Sequence, residues 1–86
     1  MKKKKLPIRR MITVEVVDKD AVWGQLGENI ANARAKQNLS QEQLSKMVHL
    51  SRTSIVNLEM GNQRCPLDTL YDIASCLGVS IQEILP

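Results

Sequence analysis

Phenylalanine is absent from this sequence, and tryptophan and tyrosine occur once each, so the core has to be built from aliphatic side chains. With 86 residues, 43% of them apolar, there is material for one small domain and not for a large enzyme. Histidine also occurs once, as His49, and the two cysteines, Cys65 and Cys76, are spaced like no metal-ligand pattern. There is no glycine-rich phosphate loop, and neither cysteine has a base beside it in the sequence. These gaps leave no catalytic residue, metal site or cofactor site to nominate, and the expectation is a non-enzyme without cofactors. No stretch approaches the roughly 18 apolar residues of a membrane span. Nor does a signal-peptide core follow the basic start, because MITVEVVDKD is interrupted at Thr13, Glu15 and Asp18. A cytoplasmic chain with free thiols and no membrane partner is expected.

Basic charge, by contrast, is plentiful in one place. Lys2, Lys3, Lys4, Lys5, Arg9 and Arg10 are six of the twelve basic residues, so residues 1–10 carry +6. Residues 11–86 hold six basic against nine acidic residues and are net −3. Four consecutive lysines repel one another and bury nothing, which reads as a disordered arm. Residues 11–17, MITVEVV, alternate in the manner of a β-strand. No other segment offers this strand a partner, which leaves pairing with a second copy of the chain or an extended arm packed on the body through Trp23. The organisation expected is therefore a basic N-terminal arm over 1–23, with a short strand at 11–17, and a helical domain over 24–86.

From Gln25 the apolar spacing becomes helical. Leu26, Ile30 and Ala33 mark a first helix that ends near Gln37 and Asn38. Ser40 caps a second helix, with Gln43 completing a capping box and Leu44, Met47 and Val48 as its apolar face. Ser51 caps a third, in which Ile55 and Leu58 face inward before Gly61. A fourth begins at Pro66 or Leu67 and buries Leu70, Ile73, Ala74 and Leu77. Ser80 caps a short fifth with Ile81, Ile84 and Leu85. The fold class is all-α. The break at His49, between two short helices, is the spacing of a helix-turn-helix, which aims the N-terminal end of its second helix outward.

Three segments in register, LSQEQL, SRTSIVNLEMGN and LDTLYDIASCLGVSIQEIL, resemble the Xre and Cro-like helix-turn-helix regulators typified by the lambdoid phage repressors. The resemblance runs from Leu26 to Leu85 and implies a compact five-helix, lambda-repressor-like domain that binds double-stranded DNA. His49 departs from it, since the family often has glycine in that left-handed turn position. The resemblance puts base contacts at Arg52, Thr53, Val56 and Asn57. Arg52 has the donors to pair bidentately with guanine, Asn57 can pair with adenine, and Val56 can meet a thymine methyl. Gln41 matches the residue that holds the DNA backbone, with Ser40, Ser54, Asn62, Gln63 and Arg64 as further phosphate candidates. Capping alone is the competing role for the two serines. Arg34 and Glu59 match positions that form a buried interhelical ion pair, a structural role. The arm residues Lys2, Lys3, Lys4, Lys5, Arg9 and Arg10 have three readings: DNA contact, a solubilising tail, or binding of an acidic partner.

The leading functional expectation is a transcriptional regulator, a repressor that binds a palindromic operator as a homodimer through helix 51–60. The dimer surface would be Val79 to Leu85 or a paired Ile12 to Val17 strand. One alternative is an antitoxin that neutralises a partner toxin and regulates its own operon; with no tail after Pro86, only residues 1–23 are left to hold the toxin. Another is the controller protein of a restriction-modification system.

Overall fold

One aspartate and three serines set where four of the five helices begin. In the computed structural model, which describes residues 3–7 and 13–86 and side chains from Val17 onward, Asp18 accepts hydrogen bonds from the backbone N–H groups of Asp20 (3.1 Å) and Ala21 (3.2 Å) and starts α1 (Lys19–Lys36). Ser40 Oγ accepts from the Gln43 N–H at 3.0 Å while Gln43 Oε1 accepts from the Ser40 N–H at 2.7 Å, a reciprocal cap for α2 (Gln41–Met47). Ser51 Oγ accepts from the Ser54 N–H at 3.0 Å and opens α3 (Arg52–Glu59). After α4 (Leu67–Leu77), Glu83 accepts from the Ser80 N–H at 2.7 Å at the start of α5 (Ile81–Ile84). Left-handed residues close the turns: Asn38 (φ 55°) after α1 and His49 (φ 57°) after α2. Asparagine and histidine tolerate this region better than most side chains, so both turns close without glycine.

All five helices contribute to one core. Ile30 of α1, Leu44 of α2, Ile55 and Leu58 of α3, Ile73 and Leu77 of α4 and Ile84 of α5 are fully buried, with Leu26, Leu70 and Ala74 beside them. Burying an aliphatic side chain of this size contributes about 1.5–3 kcal/mol. Trp23 packs at the edge, whereas Tyr71 is exposed, so the core is aliphatic throughout. The expected apolar face of α2 needs one correction. A step of about 100° per residue puts Leu44, Ser45 and Val48 on one side and swings Met47 off it, and Met47 is exposed. Buried Ser45 occupies the crossing instead, its Oγ donating to the Glu42 carbonyl at 2.7 Å.

The junction of α1 with α3 depends on Gly27. A Cβ there would collide with the Leu58 carbonyl and lie 2.6 Å from that of Glu59, so the two backbones approach more closely than any side chain permits. The loop after α3 also lies against α1: a Cβ on Gly61 would be 2.7 Å from the Gly24 Cα. Further along the same loop, Arg64 pairs with Asp20 at 3.1 Å.

The N-terminal region differs from its sequence reading in two respects. First, α1 begins at Lys19, so residues 19–23, assigned to the arm, are its opening turns; the missed signal was the Asp18 cap. Second, the strand is Thr13–Val17 (β2), and it finds its partner within the chain, in Lys3–Pro7 (β1). The antiparallel register sets Lys5 opposite Glu15 and Leu6 opposite Val14. The lysine run that reads as disorder suits an edge strand, as does Pro7, and each strand of a two-stranded ladder is an edge. An opposite-charge cross-strand position favours the pairing further. Lys2, Arg9, Arg10 and Ile12 lie outside the described residues. Among the described residues, no helix is long and apolar enough to cross a membrane.

Candidate nucleic-acid interface

The turn between α2 and α3 is short because its backbone closes on itself. The Leu50 N–H donates to the Ser45 carbonyl at 2.9 Å and the Val48 N–H to that of Leu44 at 3.1 Å, and left-handed His49 then redirects the chain. With Ile55 and Leu58 pointing into the core, helical geometry turns the opposite side of α3 outward. Arg52 and Thr53, in its first turn, are exposed; Val56 and Asn57, one turn later, are half-buried at the flank. Met60, at the C-terminal end of the same outward side, is 64% exposed.

The N-terminal ends of α2 and α3 open into a common cleft lined by Arg34, Ser40, Gln41, Glu42 and Arg52. Unpaired backbone N–H groups and the helix dipole make such ends favourable places for an anion. Ser40 is exposed and acts as the α2 cap. Ser54 is half-buried, and its Oγ accepts from Ser51 Oγ at 3.0 Å, so its hydroxyl already serves the cap of α3. At the other end of α3, Asn62 and Arg64 are exposed and Gln63 is half-buried. The Asn62 N–H donates to the Asn57 carbonyl at 2.9 Å and holds this loop to the helix. Helix α3 is thus bracketed by Ser40 and Gln41 at one end and by the 62–64 loop at the other. Of the arm lysines, Lys3, Lys4 and Lys5 lie on β1.

Behind the cleft sits a charged network. Arg34 Nε donates to Glu59 Oε2 at 2.6 Å and Arg34 Nη2 to Glu59 Oε1 at 3.0 Å, a two-pronged pair between α1 and α3. Arg34 Nη1 donates to the Leu39 carbonyl at 2.8 Å. The Glu59 side chain is 6% exposed and that of Arg34 18%. Hydrogen bonding to Glu59 raises the Arg34 pKa above its ordinary value, with burial opposing, so the guanidinium stays charged at any accessible pH. A further contact escaped sequence reasoning: Gln41 Nε2 donates to Glu59 Oε1 at 3.0 Å. The two residues are 18 positions apart on different helices, and no local signal links them.

Comparison with known proteins matches this architecture. The helix-turn-helix family HTH_3 matches residues 30–84. The control protein C.SmaI of Serratia marcescens is 38% identical over 60 residues, 70% of this chain and 71% of that protein. Among solved structures, the restriction-modification controller protein C.AhdI from Aeromonas hydrophila superposes with a TM-score of 0.72 at 25% identity, covering 76% of this chain and 98% of that one. A hypothetical transcription factor, NHTF, from Neisseria gives 0.73 at 26% identity over 85% of this chain and 84% of its own. The chain belongs to the HTH_3 helix-turn-helix family, the Xre/Cro-like DNA-binding transcriptional regulators.

Proposed function

We propose that this chain is a sequence-specific repressor that acts in the cytoplasm as a homodimer on a palindromic operator, without catalysis or cofactor. The observation that carries the reading is the exposed pair Arg52 and Thr53 at the N-terminal end of α3, the end a helix-turn-helix lowers into the major groove. Arg52, Thr53, Val56 and Asn57 read base edges. Gln41 and Ser40 on one side, and Asn62, Gln63 and Arg64 on the other, hold the flanking phosphates, with Ser54 a lesser helper. One such domain touches only a few base pairs, so two copies on half-sites about 10 base pairs apart supply useful discrimination. Their contact is assigned to the C-terminal segment from Val79 to Leu85, where Leu85 is exposed; the alternative is the edge of β2 that β1 does not cover.

Because residues 11–86 are net negative, the basic N-terminal residues supply much of the sequence-independent attraction. Deleting residues 2–10 is expected to flatten the dependence of log affinity on log salt, by about 0.9 for each phosphate that is no longer neutralised. An unchanged slope would make the arm a bystander. The similarity to C.SmaI and C.AhdI favours, within this reading, a controller of a restriction-modification operon. Selection of binding sites from random duplex DNA with the full-length chain tests the proposal. It is supported by enrichment of a palindrome with half-sites about one helical turn apart. Weak, salt-sensitive binding with nothing enriched would contradict it and leave a protein partner such as a toxin as the role of the domain.

A further inference from the structure

The Arg34–Glu59 pair has a third member that its stabilising role does not need. We infer that Glu59 is a positioning residue for DNA binding: its carboxylate fixes the side-chain amide of Gln41 so that one defined N–H is left for a DNA phosphate. The inference rests on the reading of Gln41 as a phosphate contact and adds what makes that contact effective.

A glutamine amide offers two N–H donors and one acceptor oxygen, and an ionised carboxylate only accepts. Only the NH2 end of Gln41 can therefore face Glu59, which it does at 3.0 Å from Oε1. One N–H is consumed, one remains, and the two ends of the amide cannot exchange places without setting oxygen against oxygen. The carboxylate is itself held at both oxygens. Two nitrogens of Arg34 grip it at 2.6 and 3.0 Å, and Arg34 is in turn held by the Leu39 carbonyl at 2.8 Å. These bonds run from α1 through the α1–α2 turn to α3 and back to the first residue of α2. A free glutamine would lose rotamer freedom on meeting a phosphate; this one is ordered beforehand. Arg34 cancels the charge of Glu59, so the carboxylate orients Gln41 without repelling an anion in the cleft. Since Glu59 is the last residue of α3, the same bonds fix the spacing between the phosphate contact on α2 and the base-reading side chains.

A double-mutant cycle on the full-length chain separates this role from stabilisation alone. Phosphate contacts carry no sequence information, so the probe is mixed-sequence duplex DNA at low salt. Gln41→Ala is expected to weaken binding about tenfold per bound protomer, the size of one hydrogen bond to a charged group. Glu59→Gln, which sets a second amide against Gln41 and Arg34, is expected to weaken it by a similar factor. The Gln41→Ala/Glu59→Gln double variant is expected to be no weaker than either single variant. If the two effects multiply, Glu59 serves the fold only and the inference is overturned. If Gln41→Ala alone changes nothing, the phosphate reading of Gln41 falls, and the inference with it. Should Glu59→Gln fail to fold, Arg34→Met/Glu59→Met removes both buried charges, an exchange that helical domains often tolerate. In that background Gln41→Ala should cost nothing, and a persistent tenfold weakening would overturn the inference.

Discussion

Helices α2 and α3 both start behind a serine, Ser40 and Ser51, and both put a long polar side chain at their first position. Gln41 of α2 is half-buried and bound to Glu59, whereas Arg52 of α3 is exposed and has no side-chain hydrogen bond or ion pair among the described residues. The same capping chemistry thus produces one anchored end and one free end. An anchored donor suits a phosphate, which occupies the same place on every sequence; free donors suit base edges, which differ from site to site and must be matched bidentately. What separates the two ends is a third helix position, Glu59, and not the caps themselves.

Three substitutions probe the contrast at decreasing strength. Glu59→Ala breaks the anchor and strands Arg34; it is expected to lower the unfolding free energy by about 3 kcal/mol, the lower end for a buried pair because Arg34 keeps some exposure. Urea denaturation reads this directly, and a near-neutral result would mean that the pair does not hold α1 to α3. Gly27→Ala removes no polar group but forces a methyl against the Leu58 and Glu59 carbonyls. A cost of about 2 kcal/mol is expected from this overpacking, and a gain in stability would contradict the close approach. Ser51→Ala removes only the cap of the free end, for about 1 kcal/mol. Amide hydrogen exchange should quicken at Ser54, whose N–H donates to the Ser51 hydroxyl, and not in α2; quickening in both helices would show that the two ends are not independent.

The helical body was legible because its signals are local. The Ser40 and Gln43 box, the Ser51 cap, the breaks at Asn38 and His49 and the inward Leu44, Ile55, Leu58 and Ile73 each announce themselves within one or two turns. The start of α1 was missed because Asp18, its cap, sits in a run of mixed charge without clear periodicity, and Gly24 and Gly27 weaken the helical pattern further. The β1–β2 pairing was missed because ladder partners lie some distance apart in sequence and a lysine run resembles solvated chain. In the interface, Arg52 and Thr53 were legible as polar residues at the N-terminal end of the helix that Ser51 caps, where the resemblance puts base contacts. The Gln41–Glu59 bond and the Arg64–Asp20 pair did not follow, since each joins side chains on separate elements and only the folded core brings them together.

The contrast between the two ends is tested most directly by measuring Arg52→Ala and Gln41→Ala side by side on the selected site and on each of its single-base-pair variants. Arg52→Ala is expected to cost about 1–3 kcal/mol on the selected site and to erase discrimination at one base pair per half-site. Gln41→Ala should weaken every duplex by the same factor and leave the ranking of sites unchanged. A uniform weakening from Arg52→Ala, or an altered ranking from Gln41→Ala, would contradict the division of labour between a free reading end and an anchored one.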